Sequence, residues 1–417
     1  MSQSPSHRRS TCCLCQSTDL QCLSKITHLP YKSPNVGATT SSELDLSLNG
    51  GLVPLDLYLC GSCFHMQLAD IINPEVQYTN YLYQTSVSLG LASHFQESVL
   101  QILSWLDRSP RDLSILEFGS NDGTFLSHFQ QQGSRVLGME PAIQVSADAR
   151  ARGIPTITNF FNAQTASEAL DFGYYDIVAA NYVFANIEAL DDVIEGVKEV
   201  LKEDGLFVFE TQYGVDVVER FLLDTIYHEH ISYFNVLPLT RFFLQHGMKV
   251  VDVERIQTKG GSIRVYVQFE HQSTKQSKTV SDLIEKEKFA GFQSSKRLEL
   301  FAKQIEENKD AVASRLLNAK SVAGYGASVG TMTLLHLYSL TDTIKYICDD
   351  NPLQDSLRGP SYDIPVVSSD RLYEESADAV VLFAWRYADN ILPKHKRYME
   401  DAGRFIVPLP YVREVIK

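Results

Sequence analysis

The chain has 417 residues, which is too long for one ordinary core and predicts two or three domains. Its composition, 44% hydrophobic and 21% charged, is typical of a globular protein. The net charge of −14 argues against nucleic acid or an anionic membrane as a partner, because both attract positive surfaces. The sequence has no apolar run of the roughly 20 residues that a membrane span needs, and residues 1–13 lack the apolar core of a secretory signal. We therefore expect a cytoplasmic protein.

Four of the seven cysteines form two C-x-x-C pairs, Cys12 with Cys15 and Cys60 with Cys63. Two such pairs in a reducing compartment are typical of a tetrahedral zinc site with four thiolate ligands. The second pair lies between LVPLDLYL and FHMQLAD, which alternate like the strands of a hairpin whose turn presents both sulfurs on one side. Because four protein ligands leave no position for water, we expect a structural metal. A redox pair and unliganded thiols are the alternatives.

A stretch rich in tyrosine and serine, NYLYQTSVS, precedes an amphipathic helix, FQESVLQILSWLDR. Such residues before a helix are commonly only a cap and its staple. Because this stretch lies directly before a glycine loop, we also expect it to close over a bound ligand. The side chains concerned are Tyr81, Tyr83, Ser86 and Ser88.

The segment ILEFGSNDGTF, residues 115–125, predicts a buried strand, a tight loop and the start of a helix. This arrangement carries nucleoside ligands at the carboxyl edge of a parallel sheet. The loop, which contains Gly119, Asn121 and Asp122, lacks the full G-x-G-x-x-G pattern. Glu117 places an acid where a pyrophosphate would lie, so a cationic ligand such as S-adenosylmethionine fits better than an anionic one. An ordinary turn, in which Gly119 only supplies a permissive backbone, is the alternative.

Two further strands are predicted after the loop, and each leads to candidate ligand contacts. RVLGMEP ends in Glu140, which stands about twenty residues after the loop, where a carboxylate can bind both ribose hydroxyls. A helix N-cap is the alternative for Glu140. IPTITN leads to Asn159 and Phe160, which can flank an adenine.

The fourth predicted strand, YDIVAANYVFANI, is apolar and then polar. Its carboxyl end therefore presents Asn181, Tyr182 and Asn186 to a ligand crevice. GLFVFETQ predicts a fifth strand, and GSIRVYVQF predicts a closing strand at an antiparallel edge.

Between these last two strands lies TIYHEHISYF, the chemically densest stretch of the chain. Tyr227, His228, Glu229 and His230 place two imidazoles, a carboxylate and a phenol within four residues. A histidine can remove a proton near neutral pH, a glutamate can orient it, and a tyrosine can donate to a developing oxyanion. Loop packing and metal binding through the H-x-H pattern are the alternatives.

A charge-rich segment from about residue 280 to 320 has apolar residues at three- and four-residue intervals, which predicts a helical linker. It leads to a second α/β unit with strands in SVAGYGAS, IKYICDD, DAVVLFAW and RFIVPLP. The turn Gly324–Ser328 places backbone amides at a helix start, where a phosphate group can bind. An ordinary tight turn explains it equally well.

In its motifs and in their order, the sequence resembles the zinc-containing sugar C-methyltransferases of deoxysugar pathways. Those enzymes depend on S-adenosylmethionine. The resemblance rests on the two C-x-x-C pairs and on NYLYQTSVS, EFGSNDG, GMEP, YHEHISYF, GGSIRVY and GYGAS, and it spans nearly the whole chain. It implies C-methylation of a nucleotide-linked 4-keto-6-deoxysugar. A base removes the proton beside the ketone, hydrogen bonds stabilise the enolate oxygen, and the carbon takes the methyl group.

The expected fold class is α/β, with a class I, Rossmann-like methyltransferase domain at the centre. We expect a zinc-binding module in residues 1–75 and the methyltransferase domain in residues 76–275. A linker helix and a doubly wound, substrate-binding domain are expected in residues 276–417. We also expect a monomer with a small-molecule substrate.

The resemblance implies roles for the matching residues. His230 is expected to be the base, Tyr227 a proton donor or water-positioning group, and Glu229 their partner. Together with the patterns above, it assigns these residues to the donor: Glu117, Gly119, Asn121, Asp122, Glu140, Asn159, Phe160, Tyr81 and Ser86. The residues expected at the acceptor are Tyr83, Ser88, Tyr182, Asn186, His228, Gly326 and Ser328.

Two positions depart from the family pattern. The family has Asn and His where this chain has Tyr182 and Asn186, and it has a lysine after the glycine turn where this chain has Ser328, Val329 and Gly330. Both departures concern the acceptor. A methyltransferase acting on a non-sugar carbon acid, a hydroxyl or an amine is therefore the alternative, and a sulfonium-binding module without turnover is a third.

Overall fold

The computed structural model describes residues 6–30, 52–79, 81, 83–88, 90–351, 364–375 and 377–417. The chain divides into two compact units. The first unit contains Met1–Gln21, Tyr58–Asp216 and Glu229–Ser294. The second contains Cys22–Leu57, Val217–His228 and Ser295–Lys417. The three-domain division expected from the sequence stays a prediction.

The strands of the described chain are, in order, β1 (Ser6–Arg8), β2 (Leu20–Pro30), β3 (Leu52–Cys60), β4 (Met66–Leu68), β5 (Asp70–Ile72), β6 (Ser114–Phe118), β7 (Arg135–Met139), β8 (Thr156–Ile157), β9 (Tyr175–Asn181), β10 (Leu201–Gln212), β11 (Ser232–Tyr233), β12 (Met248–Ile256), β13 (Ser262–Phe269), β14 (Val322–Tyr325), β15 (Ile344–Asp349), β16 (Val366–Ser368), β17 (Ala379–Leu382), β18 (Arg404–Val407) and β19 (Arg413–Val415).

The α-helices are, in order, α1 (Pro74–Tyr78), α2 (Leu91–Leu106), α3 (Thr124–Gln131), α4 (Ile143–Ala151), α5 (Ala166–Leu170), α6 (Leu190–Val200), α7 (Gly214–Glu219), α8 (Val236–Gln245), α9 (Lys278–Phe289), α10 (Ser295–Leu316), α11 (Val329–Leu337), α12 (Arg371–Glu374), α13 (Ala388–Lys394) and α14 (Lys396–Glu400). In the described part of the chain, none of them is long and apolar enough to cross a membrane.

The main sheet of the first unit has the strand order β12-β13-β10-β9-β6-β7-β8. Strands β6 to β10 run parallel, and β13 pairs antiparallel with both β10 and β12. Every residue of β6 is buried, as expected for a parallel strand covered on both faces. The strand order reverses between β6 and β9, and a crevice for ligands forms at such a reversal. The Rossmann-like fold predicted from the sequence is confirmed.

Helix α2 packs against this sheet through an apolar stripe. Its buried residues Leu91, Phe95, Val99 and Ile102 recur at three- and four-residue spacing and join the core formed with β6 and β9. Burying each such side chain stabilises the fold by about 1.5–3 kcal/mol. The same helix carries His94, which is thereby fixed beside the sheet.

Four predicted elements differ from the structure in their extent or in their position in the sheet. The third strand is only Thr156–Ile157, and the fourth ends at Asn181 because Tyr182 adopts a left-handed backbone conformation with φ of +57°. The strand predicted at the antiparallel edge, β13, is internal, and the edge strand is β12. The segment predicted as one linker helix is two helices, α9 and α10, and Gly291 between them has φ of +83°.

The cysteine pairs lie in small antiparallel elements of the first unit. The hairpin predicted around the second pair is present, since the Cys60 amide donates to the His65 carbonyl at 2.9 Å between β3 and β4. Strand β4 also pairs with β11, and β1 pairs with β5. The turn of the hairpin brings Cys60 and Cys63 to one side.

The second unit contains a six-stranded sheet with the order β16-β15-β14-β17-β18-β19. All of its pairings are parallel except that of β19 with β18. Strands β14, β15, β17 and β18 are the four that the sequence predicts. Their apolar side chains form a core of their own with α12, α13 and α14, and the predicted second doubly wound unit is confirmed.

Candidate functional site

Glu117 is the buried acid near the end of β6, and one of its oxygens lacks a protein partner. Oε1 accepts a hydrogen bond from Asn181 Nδ2 at 2.8 Å, whereas Oε2 is buried without a partner among the described residues. Burial raises the pKa of Glu117 well above its ordinary range. A cationic ligand would satisfy this oxygen and favour the ionised carboxylate. These features fit the ammonium-bearing methyl donor S-adenosylmethionine.

Gly119 brings the loop after β6 into close contact with the loop after β9. Its φ is +62°, and a Cβ at this position would lie 2.7 Å from Val183 Cγ2. Its amide donates to the Met139 carbonyl at 2.8 Å. Only glycine meets both constraints without displacing Val183, so the residue is required by packing as well as by the turn.

Asn121 and Asp122 hold the tyrosine- and serine-rich segment against this loop. The Asn121 side chain donates to the Tyr83 carbonyl and accepts from the Thr85 amide, both at 2.8 Å. The Ser86 amide donates to Asp122 Oδ2 at 3.0 Å. The structure therefore brings the segment and the loop together. The side chains of Asn121 and Asp122 bind the backbone of the segment, and these polar atoms are thus already used by the protein.

Arg152 completes this attachment, and sequence patterns did not reveal it. Its guanidinium donates to Asp122 Oδ2 at 2.9 Å and to Ser86 Oγ at 3.1 Å. Burial alone would raise the pKa of Asp122, but hydrogen bonds from Ser86 and Thr124 and the charge of Arg152 outweigh it and lower that pKa.

Tyr83 and Ser88 lie within the same segment and contact each other. Their hydroxyl oxygens are 2.5 Å apart. Burial raises the pKa of the Tyr83 phenol, so this hydroxyl stays protonated and remains a donor at neutral pH.

Glu140 accepts hydrogen bonds from two backbone amides. Asn121 N lies 2.9 Å from Oε2, and Ala142 N lies 2.9 Å from Oε1. The N-cap residue of α4 is Ala142, and no side chain caps the helix, so Glu140 does not have the N-cap role given as its alternative. Burial raises the pKa of Glu140 to about 7. Each carboxylate oxygen can accept a second hydrogen bond, and ribose binding stays a prediction.

Asn159 and Phe160 follow β8 and are partly exposed. The Asn159 side chain donates to Glu168 Oε1 at 2.8 Å and accepts from the Phe160 amide at 2.9 Å. The neighbouring Phe161 is instead buried and stacks on Phe118, with ring centroids 4.7 Å apart. Phe160 is therefore the more accessible of the two rings, and its contact with an adenine stays a prediction.

Tyr182 and Asn186 lie in the loop after β9. The Tyr182 amide donates to the Glu210 carbonyl at 2.8 Å, and the ring carries the Lys259 ammonium 4.0 Å from its centroid. Asn186 Oδ1 is buried and has no hydrogen-bond partner among the described residues. Like Glu117 Oε2, this oxygen is available to a ligand.

Glu229 and His230 are the part of the YHEH motif that belongs to the first unit, and both are buried. Glu229 Oε2 accepts a hydrogen bond from the Tyr81 hydroxyl at 3.1 Å. Burial raises the pKa of Glu229 to about 7. The carboxylate therefore changes protonation near neutral pH, as a participant in proton transfer requires.

Tyr227 and His228 belong to the second unit. The His228 ring is buried, and its Nε2 donates to the Pro54 carbonyl at 3.1 Å. Tyr227 is partly exposed. The hydrogen bond of His228 to backbone indicates a structural role for at least one of its ring nitrogens.

The glycine turn of the second unit also uses its amides internally. The Ala327 amide donates to Asp349 Oδ2 at 2.7 Å, and the Ser328 amide donates to Thr331 Oγ1 at 3.1 Å. Gly326 has φ of +100°, and a Cβ there would lie 2.6 Å from Ala384 Cβ. These contacts favour the tight turn over the phosphate site for Gly326 and Ser328.

A buried ionic network in the first unit was missed by sequence reasoning. Arg264 Nη2 lies 2.8 Å from Glu210 Oε1, and His94 Nε2 lies 2.7 Å from Glu210 Oε2. Burial alone would raise the pKa of Glu210, but His94 and Arg264 outweigh it and lower that pKa. The sequence feature that could have revealed this network is a single charged residue in each of two apolar strands, GLFVFETQ and GSIRVYVQF. In the structure, the register of these strands places Glu210 opposite Arg264.

The four predicted metal ligands form a compact cluster. The sulfurs of Cys12, Cys15, Cys60 and Cys63 all lie within 4.8 Å of one another. Cys12 and Cys63 are 3.6 Å apart and Cys15 and Cys60 are 3.5 Å apart, close to the ~3.8 Å expected between thiolates around a tetrahedral zinc ion.

The two cysteine turns have the same backbone geometry. The Gln16 amide donates to the Cys12 carbonyl at 3.0 Å, and the Phe64 amide donates to the Cys60 carbonyl at 2.9 Å. Gln16 and Phe64, each four residues after the first cysteine of its pair, both have positive φ. The donor set and the matched turns fit a structural zinc ion.

The Rossmann-like sheet, the acidic loop after β6 and the buried polar groups around it are features expected of a methyltransferase, and the family comparison shows that the chain is one. The model of a methyltransferase domain matches residues 91–253, and that of a C-methyltransferase C-terminal domain matches residues 257–410. C-methyltransferase NovU of Streptomyces niveus is 33% identical over 370 residues, which are 87% of this chain and 88% of that protein. The chain belongs to the C-methyltransferase family.

Solved structures resemble part of the chain. Magnesium protoporphyrin IX methyltransferase of Synechocystis PCC 6803, with bound SAM, is 14% identical and covers 42% of this chain and 80% of its own, with a TM-score of 0.33. An S-adenosylmethionine-dependent methyltransferase of Mesorhizobium loti is 14% identical and covers 40% of this chain and 95% of its own, with a TM-score of 0.32.

The activity and the cofactors follow from the family and from the site. The chain is a C-methyltransferase that depends on S-adenosylmethionine. Its four-cysteine cluster suits a structural zinc ion. The assignments of individual residues to donor and acceptor stay predictions.

Proposed function

We propose that this C-methyltransferase methylates the carbon beside the ketone of a nucleotide-linked keto-deoxysugar. The resemblance of the motifs supports this substrate class. One contact carries the proposal: the hydrogen bond of 3.1 Å from the Tyr81 hydroxyl to Glu229 Oε2. Tyr81 belongs to the segment expected to close over the donor, and Glu229 belongs to the motif expected to remove a proton. Donor binding and proton removal are therefore proposed to occur beside each other.

The donor is proposed to lie over the loop after β6. Bound there, S-adenosylmethionine supplies an electrophilic methyl group. Glu117 binds its ammonium through the oxygen that has no protein partner, and Gly119 lets the backbone approach. The remaining residues proposed at the donor are Asn121, Asp122, Glu140, Asn159, Phe160, Tyr81 and Ser86.

Proton removal is assigned to the YHEH motif. His230 takes the proton from the carbon beside the ketone, and the electron pair of that bond moves to the carbonyl oxygen. Glu229, whose pKa burial raises to about 7, stabilises the imidazolium when ionised. Tyr227 is proposed, as the resemblance implies, to donate a proton or to position water. The four-cysteine cluster has no part in this step, because four thiolate ligands would leave its zinc ion no open position for the substrate.

The acceptor residues are proposed separately for each unit. In the first unit they are Tyr83, Ser88, Tyr182 and Asn186, and the unpartnered oxygen of Asn186 can accept from a sugar hydroxyl. In the second unit they are His228, Gly326 and Ser328. His228 Nε2 and the Ser328 amide already bind other protein groups, so a ligand would have to use the other polar groups of these residues. The proposed working state is a monomer, which light scattering on the purified protein would check.

The test uses the purified full chain with a thymidine-diphosphate-linked 4-keto-6-deoxysugar. We expect label from methyl-labelled S-adenosylmethionine to enter a carbon of the sugar next to the ketone, as located by NMR of the product. In deuterated water with S-adenosylhomocysteine in place of the donor, that carbon should exchange its proton. His230→Ala should lower both rates about 10²–10⁴-fold.

His271→Ala is the matched control, because this histidine of the same unit is 58% exposed and lies outside the site. It should leave both rates unchanged. Label on a hydroxyl or amine, or exchange at the normal rate in His230→Ala, would contradict the proposal. Methylation of a non-sugar carbon acid with no reaction of the ketosugar would replace the substrate class while keeping the chemistry.

A further inference from the structure

Lys259 is a cation to which the steps above give no role, and its surroundings differ from those of a surface lysine. Its Nζ lies 4.0 Å from the centroid of the Tyr182 ring. Among the residues that the structure describes, no carboxylate forms an ion pair with it within 4.0 Å. The residue as a whole is exposed to solvent. The ammonium therefore has an aromatic face on one side and room for a ligand on the other.

The backbone holds both partners of this contact in the left-handed region. Lys259 has φ of +54° and Tyr182 has φ of +57°, and neither is a glycine. Gly260 and Gly261 follow Lys259 with φ of +90° and +141°. Residues held in this region are costly and concentrate at binding and catalytic sites. The turn is thus built to project Lys259 rather than to leave it in a relaxed surface conformation.

The turn is also anchored to the buried network. The Gly261 amide donates to the Thr258 carbonyl at 3.1 Å, and Ser262 Oγ donates to the same oxygen at 2.9 Å. Thr258 Oγ1 lies 3.3 Å from His94 Nδ1. Because His94 is in turn bound to Glu210 at 2.7 Å, the position of Lys259 is fixed from two directions.

The charges around Lys259 leave it cationic near neutral pH. Although Lys259 as a whole is exposed, the protein around its ammonium removes part of the hydration and lowers its pKa to about 8, and the opposite charges of Glu229 and Glu210 limit the decrease. Glu210 already forms an ion pair with Arg264 and a hydrogen bond with His94, and Glu229 accepts a hydrogen bond from the Tyr81 hydroxyl. The other ionisable group against Lys259 is the Tyr182 phenol, whose pKa burial raises, so it stays neutral.

We propose that the Lys259 ammonium is the catalytic cation that stabilises the oxyanion formed on the carbonyl of the acceptor. This inference rests on the proposed function, in which a proton leaves the carbon beside that carbonyl. The C–H bond breaks, the proton goes to His230, and the electron pair ends on the carbonyl oxygen as an enolate. Lys259 keeps its own proton and donates a hydrogen bond to that oxygen. A preorganised charge aimed at developing negative charge is among the largest catalytic effects.

The acceptor class follows from this role. The reacting carbon must lie beside a carbonyl whose oxygen can receive the electron pair, as in a ketone. A permanently charged phosphate would also attract an ammonium, but it would do so equally in the ground state and in the transition state. The two roles therefore affect different kinetic constants.

Lys259→Met and Lys259→Arg test the inference with the full chain and the ketosugar. The first removes the charge from a side chain of similar length, and the second keeps the charge. Lys275→Met is the control, because Lys275 is an exposed lysine of the same unit. The measurements are kcat, KM, exchange of the acceptor proton with S-adenosylhomocysteine bound, donor affinity and thermal unfolding.

Lys259→Met should lower kcat and the exchange rate about 10²–10³-fold with little change in KM. The donor affinity and the unfolding temperature of Lys259→Met should equal those of the control variant Lys275→Met. Lys259→Arg should retain more activity than Lys259→Met. Because deprotonation of Lys259 removes the cation, the wild-type rate should fall as pH rises through about 8. In Lys259→Arg this fall should move to higher pH, since a guanidinium keeps its proton.

Two results would overturn the inference while leaving the proposed function intact. One is wild-type exchange and kcat in Lys259→Met, and the other is a raised KM with unchanged kcat, which would indicate ground-state binding of an anion. A wild-type protein that neither exchanges nor methylates the ketosugar would overturn the proposed function and this inference together.

Discussion

Replacing Arg264 with methionine should destabilise the first unit by about 3–5 kcal/mol, because it removes the main counter-charge of a buried carboxylate. The Arg264 and Glu210 side chains are each 1% exposed, and Nη2 lies 2.8 Å from Oε1. Arg264 Nη1 also lies 2.8 Å from Glu254 Oε2. His94 Nε2 also lies 2.7 Å from Glu210 Oε2, and we expect this contact to persist in the variant, which places the expected loss near the lower end of that range.

A second substitution tests whether the unpaired charge is the cause. Glu210→Gln removes that charge, so Arg264→Met combined with Glu210→Gln should be more stable than the sum of the two single losses predicts. We expect a coupling energy of about 1–3 kcal/mol. Lys198→Met is the control, because Lys198 forms a pair with Glu195 in which the side chains are 30% and 51% exposed. Such surface pairs contribute at most about 1 kcal/mol.

Trp105 provides a signal that belongs to the first unit. It stacks on Tyr266 with ring centroids 5.3 Å apart, and the other of the two tryptophans, Trp385, lies in the second unit. Urea unfolding followed by Trp105 fluorescence in a Trp385→Phe background therefore reports the affected unit. With a slope of about 2–3 kcal/mol/M, the expected loss lowers the midpoint by about 1–2 M. An unchanged midpoint, or single effects that add without coupling, would refute the reasoning.

Three further predictions concern the donor loop and the cysteine cluster. Glu117→Gln should weaken S-adenosylmethionine binding about 10–100-fold by calorimetry, since charged hydrogen bonds contribute about 1.5–3 kcal/mol. Because burial raises the pKa of free Glu117 and a cation lowers it, wild-type affinity should rise with pH through that raised pKa, and the variant should lose this slope. Asn121→Ala should accelerate amide hydrogen exchange at Thr85, whose amide loses its acceptor. Cys60→Ser should lower the zinc content below one ion per chain and, like a chelator with the wild type, lower the Trp105 unfolding midpoint.

The sheet of the first unit was predictable because burial leaves a local trace in the sequence. The strand Ser114–Phe118 is buried at every position, and the sequence there is apolar except at Ser114 and Glu117. Strand β12 (Met248–Ile256) was missed because its charged residues suit an edge strand and break the apolar pattern. The end of the fourth strand was misplaced because the left-handed conformation of Tyr182 has no marker such as glycine.

The loop after β6 and the four-cysteine cluster were predictable because each is carried by residues close together in sequence. Gly119 and Glu117 lie on one turn, and each cysteine pair spans one knuckle. The contact between Tyr81 and Glu229 joins residues 148 positions apart. No local pattern encodes such a contact, although the resemblance placed both residues in the site.

Lys259 shows why the catalytic charge distribution needs the structure. In the sequence it is one lysine among many, and two glycines follow it. Nothing in that pattern distinguishes a lysine held at a binding site from a lysine in an ordinary surface turn. Three observations from the structure do so: its contact with the Tyr182 ring, the left-handed backbone at both residues, and the absence of an ion pair within 4.0 Å in the described chain. The neighbouring Arg264, on the strand that follows the same turn, is fully committed to Glu210. Of these two cations, the one that forms no ion pair within 4.0 Å in the described chain is therefore the one that can meet a charge formed on the substrate.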